Sequence, residues 1–138
     1  MGIRRKARIS ALQALFEVDC VGHDAEETCE RLLTEASLSE EGAAFVRELV
    51  RGVLTNRDKT DSIIQKHAPA WPVAQLAIID RNILRIAVFE IVLNNSVPVK
   101  VAINEAVELA KMFGSDNSSK FINGVLGAVS AQSSGERR

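Results

Sequence analysis

Apolar residues recur at helical spacing along almost the whole chain, and this pattern limits the fold more than any other feature. Near the start, steps of three and four residues place one apolar set on a single helix face: Ile9, Leu12, Leu15 and Phe16. The 138 residues hold only 8 glycines and 3 prolines, and no Asn-Gly or Asp-Gly hairpin pair separates alternating runs. The pattern predicts an all-α, compact bundle that forms a single domain over residues 1–138.

Capping and breaking residues divide the pattern into seven predicted helices. Asp24 with Glu27 resembles a capping box, Ser39 caps a third helix, and either Asn56 or Thr60 caps a short fourth one. The first three predicted helices cover about 4–20, 24–36 and 39–56, and the fourth starts at 56 or 60 and stops before Pro69. Two more cover about 80–94 and 98–113, and the last is capped within 115–119 and extends to about Val129. We expect the polar segment 130–138 to be a frayed tail.

The run from Ile83 to Leu93 is apolar on most sides, which predicts a central helix. Its Ile and Val content also fits a buried strand, but Arg85 and Glu90 break strict alternation and the length favours a helix. We expect a connector between two halves of the chain at Pro69–Pro72, and a core that includes Ile83, Ile86, Val107 and Val125.

Charge is unevenly distributed although the formal net charge is only −1. Residues 1–16 carry +4, residues 17–44 carry −8, and residues 45–138 carry +3. The first group, Arg4, Arg5, Lys6 and Arg8, forms a basic arm over residues 1–8. A basic arm followed by an acidic segment indicates a polyanionic partner for the arm, although a solubilising tail is an equally good interpretation of the arm alone.

A second candidate surface lies where Lys120 and Phe121 follow a Ser- and Asn-rich turn. The free N–H groups and the dipole of a helix N-terminus favour anions. A phenylalanine there is more often a core residue than a stacking platform for bases. The nearby Lys111 and Phe113 favour the functional interpretation modestly.

No catalytic or metal-binding pattern is complete. Cys20, His23 and Cys29 supply three potential ligands where structural zinc needs four. The segment 114–120 lacks the Gly-Lys-Ser/Thr ending of a phosphate loop, and Glu105 and Glu108 have no Glu-x-x-His partner. We therefore expect no enzymatic activity, no cofactor and no metal.

The chain has no apolar run of the roughly 18 residues that a transmembrane helix needs. Gln13, Glu17 and Asp19 interrupt the apolar positions near the start, so no secretory signal is indicated. We expect a cytoplasmic protein without membrane association, in which both cysteines are free thiols.

Several segments, taken together and in order, closely resemble the NusB family of bacterial transcription antitermination factors. They are Asp80–Glu90, Val97-Pro98, Val101–Lys111 and Lys120–Leu126, preceded by Arg4–Arg8 and Ala11–Phe16. The resemblance implies a seven-helix fold of two packed helical halves. It also implies binding to the single-stranded box A RNA element of ribosomal RNA leaders, a heterodimer with the ribosomal protein NusE, and a complex with RNA polymerase. Some relatives self-associate, so a homodimer is a further implied possibility.

The same resemblance assigns roles to individual residues. RNA-binding residues would be Arg4, Arg5, Lys6, Arg8, Gln13, Phe16, Lys120 and Phe121. Residues facing the NusE partner would be Asp80, Arg81 and Arg85. Two positions depart from the family pattern. Phe16 lacks the hydroxyl of the aromatic residue that is usual there. Asn117 stands where the family often has an acidic residue, so this loop would repel RNA less.

Two alternatives remain from the sequence. A NusB-like domain also occurs at the N-terminus of some ribosomal RNA methyltransferases, but this sequence contains no domain for the methyl donor and would have to be a fragment. A helical adaptor that binds only protein, with the basic arm as a tail, is the alternative outside nucleic-acid binding.

Overall fold

The computed structural model describes residues 2–136, with side chains described for residues 2–132, and divides the chain into two compact units. The units are Met1–Thr55 and Asn56–Arg138. The boundary between the units therefore lies at the end of the third helix. The prediction of a connector between two halves at Pro69–Pro72 was wrong.

The first unit is a three-helix bundle of α1 (Ile3–Val21), α2 (Ala25–Ala36) and α3 (Glu40–Thr55). Helix α1 packs against both of the others. Its buried stripe consists largely of small and branched residues: Ala7, Ala11, Leu12, Ala14 and Leu15. These face Val46, Leu49, Val50 and Val53 of α3 in the apolar core of the unit.

The predicted helix ends of this unit are confirmed by their capping contacts. Gly22 adopts a left-handed conformation (φ 78°) and its N–H donates to the carbonyl of Val18. The Asp24 carboxylate accepts from the N–H of Glu27 at 3.0 Å, and the Ser39 hydroxyl accepts from the N–H of Gly42 at 3.1 Å. Each cap satisfies a backbone group that has no partner within its helix.

The second unit contains α4 (Arg57–His67), α5 (Ile78–Val88), α6 (Val99–Phe113) and α7 (Ser118–Glu136). Helix α5 packs against the other three, and residues 82–91 are all buried. The prediction of a central helix is confirmed. Ile83, Ile86 and Val125 are buried as predicted, whereas Val107 is only half-buried.

The end of the central helix differs from the single α-helix predicted to Asn94. A π-helical segment (Phe89–Asn94) continues α5, and it ends at Asn95 in a left-handed conformation whose N–H donates to the carbonyl of Glu90. Helix α7 also exceeds its predicted length. Its backbone is helical to Glu136, although a frayed tail was expected from residue 130. The reason is that Ser130, Ala131 and Gln132 do not break a helix. Arg137 and Arg138, also part of the predicted tail, lie outside the described residues.

The segment between α4 and α5 is held by one glutamine. The Gln65 amide nitrogen donates to the carbonyls of Ala68 and Trp71, and its oxygen accepts from the N–H of Val73. These bonds fix a proline-containing turn and leave the Trp71 side chain exposed. Within residues 2–136, no helix is both long and apolar enough to cross a bilayer.

Candidate nucleic-acid interface

The basic arm forms the first two turns of α1 and is not a separate tail. Arg4 and Lys6 are exposed, Arg5 is half-buried, and Arg8 is only 2% exposed. The guanidinium carbon of Arg4 lies 4.6 Å from the centroid of the Phe45 ring, and that of Arg8 lies 5.3 Å from it. Both distances are within the range of a cation–π interaction. The arm is therefore docked on α3.

The position of these charges opposes the helix dipole. The first turn of α1 contains no acid, and the N-cap residue Gly2 offers no side-chain cap. Cations are ordinarily placed at helix C-termini, where the partial charge is negative. Arg4, Arg5 and Lys6 lie in the first turn of α1, where a positive charge interacts unfavourably with the helix dipole.

Gln13 and Phe16 continue from the arm along α1. Arg5, Ile9, Gln13 and Phe16 follow steps of four, four and three, so they share one stripe of the helix. Gln13 is exposed and Phe16 is half-buried. A glutamine amide can hydrogen-bond with unpaired bases, and the face of an aromatic ring can stack on them.

In the second unit, Lys120 and Phe121 lie in the first turn of α7. Lys120 is exposed and Phe121 is half-buried. The preceding turn is held by the Ser118 hydroxyl, which accepts from the N–H of Ser115 at 2.9 Å. A Cβ at Gly114 would lie 2.5 Å from Ser118 and 2.8 Å from the carbonyl of Ala110, so the turn requires glycine there.

The structure brings Phe121 together with Asp80, which sequence reasoning had assigned to a different role. Both line a cavity of about 350 Å³ whose other walls are Trp71, Gln75, Leu76, Ala77, Ser115, Asn117 and Ser118. One carboxylate oxygen of Asp80, Oδ1, is buried without a hydrogen-bond partner among the described residues.

The two predicted partner-facing arginines already use their guanidinium groups within the unit. Arg81 donates to the carbonyl of Ala74 at 3.0 Å. Arg85, only 4% exposed, donates from Nε and Nη2 to the two carboxylate oxygens of Asp61 at 2.7 and 2.9 Å. Arg85 can therefore reach a partner only if this ion pair opens.

The cysteines and His23 are dispersed. Cys20 is exposed, Cys29 is buried, both are free thiols as predicted, and His23 lies 3.4 Å from Glu17. Over the described part of the chain, no three His, Cys, Asp or Glu side chains are arranged to hold a metal ion. Burial raises the pKa of the Cys29 thiol, and the nearby Glu30 adds to the increase.

A sequence profile of the NusB family matches residues 5–131. The chain belongs to the NusB family. A transcription antitermination protein NusB from Dehalococcoides mccartyi is 56% identical over 127 residues, which cover 92% of this chain and 89% of that protein. NusB proteins of this kind are non-enzymatic.

Solved NusB structures share the fold. The NusB structure from T. maritima has a TM-score of 0.87 at 32% identity and covers 94% of this chain and 91% of that one. A chain from a crystal structure of the antitermination factors NusB and NusE in complex with dsRNA also has a TM-score of 0.87, at 27% identity, covering 94% and 97%. The described residues, 2–136, form seven α-helices, and the predicted seven-helix NusB fold is therefore confirmed.

Sequence reasoning missed Phe45. Phe45 is far from the arm in sequence, and an aromatic residue within an apolar helix pattern is ordinarily assigned to the core. Its role beneath Arg4 and Arg8 depends on how α1 packs on α3, which local periodicity does not specify.

Proposed function

We propose that this chain is an RNA-binding antitermination factor that binds the single-stranded box A element of ribosomal RNA leaders together with NusE. In this proposal the heterodimer acts with RNA polymerase in the cytoplasm. The observation that carries the proposal is the cluster of basic residues at the start of α1. Two of them, Arg4 and Arg8, lie on the Phe45 ring.

The chemistry of the arm supports RNA as the ligand. Arginine forks match phosphate oxygens and also stack on unpaired bases. The RNA-binding set is proposed to be the arm residues with Gln13, Phe16, Lys120 and Phe121. Arg8 is buried against the Phe45 ring, so we assign it a supporting role and propose direct phosphate contact for Arg4, Arg5 and Lys6.

The NusE-facing residues are proposed to lie on α5. Asp80 is the strongest candidate, because it lies in the first turn of α5 and lines a surface cavity that includes the exposed Trp71. Arg81 is half-buried at the same end of the helix. Arg85 is placed behind them and contributes through its ion pair with Asp61. A homodimer of the free protein would be a competing state.

The test is a titration of box A RNA and a scrambled RNA of equal length against the purified protein, with and without NusE. Preference for box A that increases when NusE is added would support the proposal. NusE binding without any RNA binding would favour the helical adaptor. Sedimentation of the free protein over a concentration series would report a homodimer.

A further inference from the structure

Two arginines of α1 share one aromatic ring on α3. The guanidinium carbons of Arg4 and Arg8 lie 4.6 and 5.3 Å from the centroid of Phe45. The two arginines are four residues apart, so successive turns of α1 bring them to the same side of the helix. One ring therefore lies within cation–π distance of two guanidinium groups.

The ring itself is held firmly. Phe45 is 8% exposed, and it precedes Val46, which is fully buried in the core of the first unit. Near the start of α3, a Cβ built on Gly42 would lie 3.4 Å from a methyl group of Ile3, so the beginning of α1 lies close against α3 at this point. The platform beneath the arginines is thus part of the folded bundle.

The two arginines differ in exposure. Arg8 is almost fully buried, whereas Arg4 is exposed. Arg4 can therefore present donors to a ligand while its side chain rests on the ring. An arginine side chain that is already ordered loses less conformational entropy on binding than a free one.

We propose that Phe45 is a positioning residue for RNA binding, whose ring holds Arg4 in a binding-ready conformation. The inference depends on the proposed RNA-binding function. Phe45 touches no phosphate in this role and acts only through the arginines. The ligand recognised at Arg4 is a phosphodiester or an unpaired base of the RNA strand.

A double-mutant cycle tests the proposal with Phe45→Leu and Arg4→Gln. Leucine keeps an apolar side chain but removes the quadrupole that attracts a cation. We expect Phe45→Leu to weaken RNA binding about 3- to 10-fold, equivalent to roughly 0.7 to 1.4 kcal/mol. In the Arg4→Gln background the same substitution should change affinity less than twofold, and Phe45→Tyr should restore near-parental affinity.

The matched structural control is Val53→Ala, which removes buried apolar volume elsewhere on α3. It should lower the melting temperature while leaving RNA affinity unchanged at a temperature where the variant is folded. An equal loss of affinity from Phe45→Leu with and without Arg4, or no loss at all, would overturn the positioning role. A parent protein that binds no RNA would overturn the proposed function and this inference together.

Discussion

Arg85 and Asp61 form a two-point ion pair that joins α5 to α4. Nε and Nη2 of the guanidinium donate to the two carboxylate oxygens, and Nη1 donates to the Asn82 amide oxygen at 3.2 Å. A fork that meets both oxygens gives geometric specificity as well as charge neutralisation. Arg85 is thus a structural residue of the second unit, whatever its contribution to partner binding.

Replacing Arg85 with Met should destabilise the second unit. The change leaves the Asp61 carboxylate without its main partner, and we expect a loss of roughly 3 kcal/mol, at the lower end for a broken buried pair because Asp61 remains partly exposed. Urea unfolding measures it. Arg85→Met combined with Asp61→Leu should recover part of the loss, and a single variant as stable as the parent would contradict the assignment.

The exposed part of the arm should govern the salt dependence of RNA binding. Single-stranded RNA binding loses affinity with a log–log slope of about −0.7 per neutralised phosphate, so three phosphate contacts contribute roughly −2. Replacing Arg4, Arg5 and Lys6 with Ala should weaken binding and flatten the slope by about that amount. Fluorescence anisotropy at several salt concentrations measures it.

A matched control for the arm is the triple replacement of Lys59, Lys66 and Lys100 with Ala, since these are exposed bases outside the proposed RNA-binding set. This variant should keep the parental slope. If both triple variants flatten the slope equally, the arm has no special role and only net charge matters.

Ile86 should be a major contributor to the core of the second unit. Its side chain is 2% exposed in the last turn of α5, and truncation to Ala should cost about 2–5 kcal/mol of unfolding free energy. Val101→Ala is the control, because Val101 is exposed and should change stability by less than about 0.5 kcal/mol. A parental denaturation midpoint for Ile86→Ala would remove Ile86 from the core.

The central helix could be predicted from the sequence, because its apolar pattern, its length and its lack of proline all favour a helix. The caps Asp24 and Ser39 could also be predicted, because each is a contact between two residues only three apart in the sequence. The π-helical segment had no such indication, since Phe89–Asn94 differs in composition little from the residues before it.

The burial of Arg8 and Arg85 was not predictable from the same patterns. A charged residue is ordinarily assigned to the surface, and it becomes a buried residue only when the fold supplies a partner distant in sequence. Such partners include Phe45 for Arg8 and Asp61 for Arg85. The sequence therefore predicted which basic residues belong to the candidate site. The structure was needed to distinguish the exposed residues, which can contact RNA, from the buried ones, which support them.

The two thiols should react at very different rates in the native protein. Cys20 is exposed, while burial of Cys29 raises its pKa and disfavours the reactive thiolate. Alkylation followed by mass spectrometry should show Cys20 modified first and Cys29 only on unfolding. Equal rates under native conditions would mean that α2 opens readily.

The raised pKa of Cys29 also sets the sign of its pH effect. The folded state holds the proton more tightly than the unfolded state, so this contribution to stability is complete below the unfolded pKa and is lost as pH rises through the folded one. Stability measured at alkaline pH should fall less in Cys29→Ala than in the parent.

NusE should strengthen RNA binding by this chain. Two modest surfaces on one strand act as linked contacts, and the second binds at high effective concentration once the first is engaged. The affinity for box A RNA should therefore rise when NusE is present, and Arg81→Glu should reduce the increase without changing the affinity of the free protein. Identical affinities with and without NusE would contradict the linkage.

The start of α1 has a practical consequence for anyone who prepares the protein. The helix begins at Ile3 with Gly2 as its cap, so Arg4 lies in the first turn of α1. A polyhistidine tag joined ahead of Gly2 could supply its own phosphate contacts, and an acidic epitope could mask the native ones. Binding assays should therefore use protein whose leading tag has been cleaved completely, with an authentic first turn.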